Sequence, residues 1–156
     1  MEKLEWQLSG DYAVIRDVTH RFAPRLTKHG FLLSAVSQEV GALLGNRLIL
    51  NYRFLNEMSK MVILISFIAA IEHHVGGFVI LVTTSDNRTV NLRDWLKLNK
   101  LEEWIPLLSY ETSVADIRVY AESFFEMLCT LFDTKLKNVI DGTEFVETPI
   151  DWGGFK

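Results

Sequence analysis

The chain has 156 residues, of which 49% are hydrophobic, 23% charged and 12% aromatic, and its formal net charge is −4. A chain of this size and composition can bury enough apolar surface to fold as one domain around one core. Its aromatic content excludes long disordered stretches. The slight acidic excess and the lack of a basic stripe argue against nucleic acid as a partner.

Cysteine content and hydropathy bear on where the protein works. Cys129 is the single cysteine, so no internal disulfide can form, which is typical of a reducing compartment. Residues 1–6 lack the pattern of a secretory signal. The longest apolar run, Met61–Ile71, is shorter than the roughly 20 residues that a membrane-spanning helix needs. We therefore expect a cytoplasmic protein without a membrane span.

The first predicted element is a helix from about residue 10 to 28. Its apolar stripe, with members three or four residues apart, consists of Tyr12, Ile15, Val18, Phe22 and Leu26. Asp17 and Arg21 are spaced to pair with each other on the solvent side of this helix. Pro24 predicts a kink, or an end near Phe22, and Gly30 is the expected stop.

Four segments rich in β-branched and aromatic residues then predict strands: Phe31–Val40, Arg47–Leu55, Met61–Ile71 and Phe78–Thr84. The short segments between them favour an antiparallel meander. Alternation in the second segment, with Leu48, Leu50, Tyr52 and Phe54 on one parity, predicts one face on the core and one partly hydrated face. The third segment is apolar on both parities. It fits a fully buried strand or a helix, and its β-branched residues favour the strand.

Two short helices and one long helix are predicted in the second half of the chain. Asn91 is the expected N-cap of a short helix whose Leu92, Trp95 and Leu96 face inward, and a second apolar cluster spans residues 101–108. Ser113, with an acid three residues later, is the expected N-cap of a long helix that ends at Gly142. The apolar stripe of that helix is Ile117, Tyr120, Phe124, Leu128, Leu131, Leu136 and Val139.

The order of these elements predicts a single α+β domain, residues 1–156. In this fold an N-terminal helix, two short helices and a long C-terminal helix pack on a four-stranded antiparallel meander. Residues 143–156 form a C-terminal extension, rich in acidic and aromatic residues, that we expect to lie over the body of the domain.

The sequence offers few groups for catalysis or metal binding. Glu72, His73 and His74 are adjacent and could supply nitrogen and oxygen ligands to a metal, but neighbouring strand residues point to opposite faces, which favours ordinary loop histidines. Cys129 is predicted to be a buried, unreactive thiol. Because none of the common hydrolase, nucleotide-binding or metalloprotease motifs occurs, we predict no catalytic residue, no metal and no cofactor.

A row of polar residues in the second strand is the best candidate for recognition. Arg47, Asn51 and Arg53 share one parity of that strand, so we expect them together on the exposed face of the sheet. Arginine can hold a carboxylate, or a carboxylate-bearing protein, in a bidentate geometry. The alternative is a solvated strand face with ordinary surface charges. Glu72, His73 and His74 complete the set of candidate binding residues.

The succession of these segments resembles small uncharacterised bacterial α+β proteins, some of which are immunity proteins of polymorphic toxin systems. The resemblance covers about residues 10–142 and rests on four short words: His29–Phe31, Gly45–Arg53, Leu92–Leu96 and Val139–Gly142. It implies a stoichiometric binding role without catalytic residues or cofactor. The apolar third segment and the C-terminal extension depart from this pattern.

Three functional hypotheses follow. The first is a non-enzymatic protein-binding module that contacts its partner through an exposed sheet face or its acidic end. In its finer form it is an immunity-type protein that binds and neutralises a partner toxin. The second is a small-molecule-binding protein or an enzyme of unrecognised type, with a pocket between sheet and helices that involves Arg53, His73 or Glu72. The third is a homodimer that buries the apolar segment Met61–Ile71.

Overall fold

A computed structural model describes residues 2–41, 47–70, 74–111 and 116–140. Its helices are α1 (Glu2–Thr27), α2 (Leu92–Leu98), α3 (Ile117–Asp133) and α4 (Lys137–Ile140), with a 3₁₀ helix at Glu102–Leu108. Its strands are β1 (Phe31–Gly41), β2 (Arg47–Asn56), β3 (Val62–Ile68), β4 (Gly76–Thr83), β5 (Thr89–Asn91) and β6 (Ser109–Tyr110). The predicted α+β class is confirmed. The predicted extension, residues 143–156, lies outside the described residues.

The strands form one antiparallel sheet. Strands β1 to β4 follow each other as the predicted meander, β5 continues the sheet beside β4, and the short β6 also pairs with β4. The segment that fitted either a strand or a helix is a strand: β3 pairs with β2 on one side and with β4 on the other. Ile63, Ile65 and Phe67 join the main core, whereas Ile68 packs with Ile49 and Val79 in a second cluster, so apolar residues of both parities are buried.

One face of the sheet, which we call the inner face, packs against α1 and α3. Leu48, Leu50, Tyr52 and Phe54 are all buried there, as predicted. The alternation itself holds only from Leu50 to Phe54, because Arg47 and Ile49 on the other parity are buried as well. Strands β3 and β4 add alternate buried residues: Ile63, Ile65, Phe67, Phe78, Ile80 and Val82. All five members of the predicted α1 stripe are buried against this face. The helix layer and the sheet therefore share one continuous core.

Aromatic rings join the two layers at the centre of this core. Phe78 of β4 stacks on Phe124 of α3 with ring centroids 3.9 Å apart and an angle of 5° between the ring planes. Phe125 lies edge-on to Phe78 and stacks on Phe22 of α1 at 5.5 Å. A single cluster thus contacts the sheet and both long helices, and such offset and edge-on ring pairs stabilise beyond the area that they bury.

Helices α1 and α3 lie side by side and run in the same direction. Three ion pairs join them at successive turns: Asp17 with Arg118, Arg21 with Glu122, and Arg25 with Glu126. Since residue numbers rise together along both helices, the helices are parallel. The prediction that Asp17 and Arg21 pair with each other is wrong, because a second helix supplies a partner for each of them. Residues 21 and 25 also place their guanidinium groups over the ring of Phe22.

Helix α1 is longer than predicted at its start, and it continues through Pro24. It begins at Glu2 rather than near residue 10, and it ends at Thr27, which confirms the predicted end near residue 28 over the alternative end near Phe22. The proline removes one donor, to the carbonyl of His20 on the exposed side of the helix, where water can replace it. The expected stop at Gly30 is confirmed by its φ of 90°, a left-handed conformation that glycine adopts at low cost.

The long C-terminal helix is shorter than predicted. Asp116 is its N-cap, accepting hydrogen bonds from the backbone N–H groups of Arg118 and Val119, whereas Ser113 lies outside the described residues. The helix ends at Asp133 instead of continuing to Gly142. A turn and α4 follow, and they still bury two members of the predicted stripe, Leu136 and Val139. The N-cap of α2 is Asn91, as predicted.

Truncation of a central ring tests the role of the aromatic cluster. We expect Phe124→Ala to lower the free energy of unfolding by about 3 to 5 kcal/mol, because it removes a fully buried ring and leaves a cavity. Val119→Ala, on the exposed side of the same helix, should change it by less than about 0.5 kcal/mol. Urea denaturation measures both. Equal effects of the two substitutions would contradict this description of the core.

Asp133 at the end of α3 makes the fold sensitive to acid. Hydrogen bonds from Lys28 and then from His29, at 2.9 and 2.8 Å, hold the pKa of Asp133 below its ordinary value of 3.8. The stabilisation that these contacts give the folded state is therefore fully present at pH values above 3.8, and it disappears as the pH falls through the lowered pKa of Asp133. Asp133→Asn should lose less than about 1 kcal/mol at neutral pH, since the groups are partly hydrated. At pH values below the lowered pKa, the variant and the native protein should unfold alike in urea.

Candidate functional site

The side of β1 to β4 that faces away from α1 and α3, which we call the outer face, carries a shallow groove of about 380 Å³. The pairing register places residues from three or four strands in rows across it, for example Ser37 beside Asn51 and Asn51 beside Ser66. The groove is lined by Ala35, Ser37, Glu39, Ile49, Asn51, Arg53, Leu64, Ser66 and Leu81. Two of the predicted binding residues, Asn51 and Arg53, are thus brought together.

A chain of hydrogen bonds crosses the groove from β3 to β1. The Ser66 hydroxyl donates to Asn51 Oδ1 at 2.5 Å, and Asn51 Nδ2 donates to Glu39 Oε1 at 3.2 Å. These contacts fix which way the Asn51 amide faces. They also hold the Glu39 carboxylate in place on an otherwise exposed strand, so that a ligand meets an ordered polar row.

Arg53 is anchored to β1 by a single side-chain contact. Its Nη1 donates to the Ser34 hydroxyl at 2.9 Å, and that hydroxyl donates to the Arg53 carbonyl oxygen at 3.1 Å. Ser34 is the extra residue of a β-bulge between Leu33 and Ala35. A guanidinium has five N–H donors, so this anchor leaves most of the group available to solvent or to a ligand.

The groove carries charges of both signs, and they are well separated. Glu39 pairs in the sheet with Ile49, which precedes Arg53 by four residues on the same strand. At about 3.3 Å per residue, the two charged positions are ~13 Å apart along the strands. The Asn51 amide lies between them. One small ion could not contact both charges, whereas an extended surface could.

Apolar side chains form the rest of the outer face. Leu64 and Leu81 are partly buried in the groove. Next to them Ile49, Ile68 and Val79 form a buried cluster separate from the main core. The groove therefore combines apolar side chains, mainly on β3 and β4, with polar side chains, mainly on β1 and β2, a combination found in protein interfaces.

The structure corrects the prediction that Arg47 is exposed beside Asn51 and Arg53. The side chain is fully buried, and its Nη1 donates to the carbonyl oxygens of Ala69 at 3.1 Å and of Val75 at 2.5 Å. Burial lowers the pKa of Arg47. Arg47 thus ties the start of β2 to the connection between β3 and β4. Strand parity does not reveal this burial, because the acceptors come from the connection between β3 and β4 and not from a neighbouring strand position.

The other predicted site residues are Glu72, His73 and His74. Glu72 and His73 lie outside the described residues. His74 is partly buried just before β4 and does not line the groove. Within residues 2–41, 47–70, 74–111 and 116–140, no group of three or more His, Cys, Asp or Glu side chains could hold a metal ion. Burial raises the pKa of the Cys129 thiol to about 11, as expected for an unreactive core cysteine.

Sequence analysis missed three polar residues of the groove, Ser37, Glu39 and Ser66. They come from β1 and β3, and only the strand register shows that they flank Asn51. The predicted meander was the available signal, because hairpin lengths determine register.

Comparisons with known proteins do not suggest a function, so the function has to be inferred from the geometry of the structure. No family model, curated protein or solved structure matches the chain. Among the described helices, none is both long enough and apolar enough to cross a membrane.

Two arginines of the same strand should differ sharply in their effect on stability. We expect Arg47→Ala to lower the free energy of unfolding by at least about 2 kcal/mol, because it leaves two carbonyl oxygens without their donor and opens a cavity. Arg53→Ala, on the exposed outer face, should cost less than about 0.5 kcal/mol. Thermal and urea unfolding measure both. A small effect of Arg47→Ala would contradict the structural role of this residue.

Proposed function

We propose that the protein is a non-enzymatic protein-binding module that contacts its partner through the outer face. The observation that carries the proposal is the separation of Glu39 and Arg53 on one face, with the fixed Asn51 amide between them. A small anion needs several cationic groups that converge on one point, and here a carboxylate shares the face with the guanidinium. A folded or extended polypeptide with complementary charges can contact both.

The chemistry of the groove lining supports binding over catalysis. It offers hydroxyl groups, one amide, one carboxylate and one guanidinium. Among the described residues that line it there is no histidine or cysteine, so within that set neither Ser37 nor Ser66 has an imidazole beside it to activate its hydroxyl. The Ser66 hydroxyl instead donates a hydrogen bond to Asn51 Oδ1.

The alternative function, a ligand pocket between the sheet and the helices, has less support. Described side chains of both layers are in direct contact there, as the 3.9 Å stack of Phe78 on Phe124 shows. A ligand would have to displace rings that form the centre of the core.

The partner that fits this surface is a protein with a carboxylate positioned for Arg53 and a basic group for Glu39. The net charge of −4 would steer a basic partner toward the chain, an effect on the association rate that salt weakens. The finer form of the proposal is an immunity-type role, in which that partner is a toxin and the chain neutralises it by stoichiometric binding.

Charge reversal on the outer face tests the binding role. Tagged native protein should recover one protein in near-equal amount from cells of its own source, and Arg88→Glu, a matched change in the exposed β4–β5 turn, should recover the same protein. Arg53→Glu should weaken the affinity for the purified partner about 10- to 100-fold in calorimetry, because it places a carboxylate opposite a carboxylate. Equal affinities of the two variants, or no stoichiometric partner, would contradict the proposal.

The immunity-type role has its own readout. Expression of the captured partner alone should arrest growth, co-expression of the native chain should restore it, and Arg53→Glu should restore it less well. A harmless partner would overturn the neutralising role and leave the binding role standing.

A further inference from the structure

Strand β1 is an open edge of the described sheet. It pairs with β2 on one side, and no other described strand pairs with it. Seven consecutive residues, 34–40, are exposed, including Val36 at 47% and Val40 at 42%. The backbone N–H and C=O groups that point away from β2 are therefore accessible to another strand.

The usual protections of an edge strand are missing from most of β1. Residues 31–41 contain no lysine, arginine or proline, and Glu39 is their one charged residue. The β-bulge at Ser34 disturbs the strand near its start, but pairing with β2 is regular from Ala35 to Gly41. At the far side of the described sheet, β5 has only three residues, which makes that edge a poor template.

This asymmetry argues for one occupant, a second copy of the chain. Two copies that pair through the same edge use up both long edges and leave only the short ones, so the assembly closes as a dimer. An unrelated strand would need a side-chain pattern that fits this edge, whereas a second copy of the chain supplies an identical edge whose pattern fits.

The pattern of β1 is self-complementary in one antiparallel register. With the two-fold axis at Gln38, Val36 lies opposite the partner's Val40, and Ser37 lies opposite the partner's Glu39. Val36 and Val40 pair with Tyr52 and Leu48 of β2, so both valines are on the inner face of the sheet. The helices leave these two valines exposed, and the dimer contact would cover them.

Neighbouring registers of the same parity fit less well. An axis at Ser37 would place each Val36 opposite a glutamine. An axis at Glu39 would place two carboxylates opposite each other, which destabilises a strand pair. An axis at Val36 would bring the bulge residue Ser34 into the contact.

We propose that the protein forms a two-fold symmetric dimer by antiparallel pairing of β1 with β1 of a second copy, centred on Gln38. This contact uses the strand edge, whereas the proposed function uses the groove, so either can fail without the other. An edge contact of this kind is smaller than a standard stable interface, and the dimer should dissociate on dilution. It differs from the homodimer predicted from Met61–Ile71, whose described apolar residues are buried within the chain except for the partly buried Val62 and Leu64.

Light scattering across micromolar to near-millimolar concentrations tests the dimer. The native protein should rise from the monomer mass toward twice that mass. Val36→Lys should weaken dimerisation about tenfold, because the symmetry places the substitution in the contact twice. Val119→Lys, a matched change at the exposed surface of α3, should leave the curve unchanged. The double variant Val36→Lys with Val40→Glu should regain dimerisation, since the new charges lie opposite each other.

Cross-linking tests the register. Gln38→Cys should be joined to itself by a short thiol-specific cross-linker. Ser34→Cys should not, because the two positions would be about 26 Å apart across the axis at ~3.3 Å per residue. Native Cys129 is buried and serves as the background control. A monomer at every concentration, a dimer that Val36→Lys leaves intact, or cross-linking at residue 34 rather than 38 would overturn the proposal.

Discussion

The width of the helix layer is the constraint on which the rest of the structure depends. Two helices about 10 Å wide cover roughly four strands spaced ~4.8 Å apart. Helices α1 and α3 lie parallel over the inner face, held at their shared surface by three ion pairs and by the stack of Phe22 on Phe125. They bury β2, β3 and β4, and β1 lies beyond them from residue 34 onward. The exposed edge follows from this width, and the outer face carries its open groove because both long helices lie on the inner face.

The sequence predicts those elements of the described fold that a local residue pattern determines. The 3.6-residue stripe of α1, the alternation of β2 from Leu50 to Phe54 and the cap at Asn91 all appear in the structure, because each depends on residues close in sequence. The stripe also includes Leu26 beyond Pro24, and burial of Leu26 against the core outweighs one lost hydrogen bond, so the helix continues to Thr27. The sequence does not reveal ion pairs between side chains of different elements, such as the pair of Asp17 in α1 with Arg118 in α3.

The candidate site was half predictable for a similar reason. Asn51 and Arg53 share a strand parity, which a single sequence reveals, while Glu39 and Ser66 join them only through register. Arg47 has the same parity and is nevertheless buried, because the connection between β3 and β4 supplies carbonyl acceptors that strand alternation does not include. Glu39 belongs both to the groove and to the β1 edge, so the pairing register of β1 with β2 determines where the two proposed surfaces meet.

Native-state hydrogen exchange of dilute protein tests most directly whether the helix layer protects β2 to β4 and leaves β1 open. Amides of residues 35–41 that point away from β2 should exchange at nearly the rate of an unstructured chain. Amides of Ile63 and Ile65 in β3 should exchange orders of magnitude more slowly, through global unfolding. Equal protection of both groups in monomeric protein would mean that another part of the chain covers the edge, and it would contradict the account.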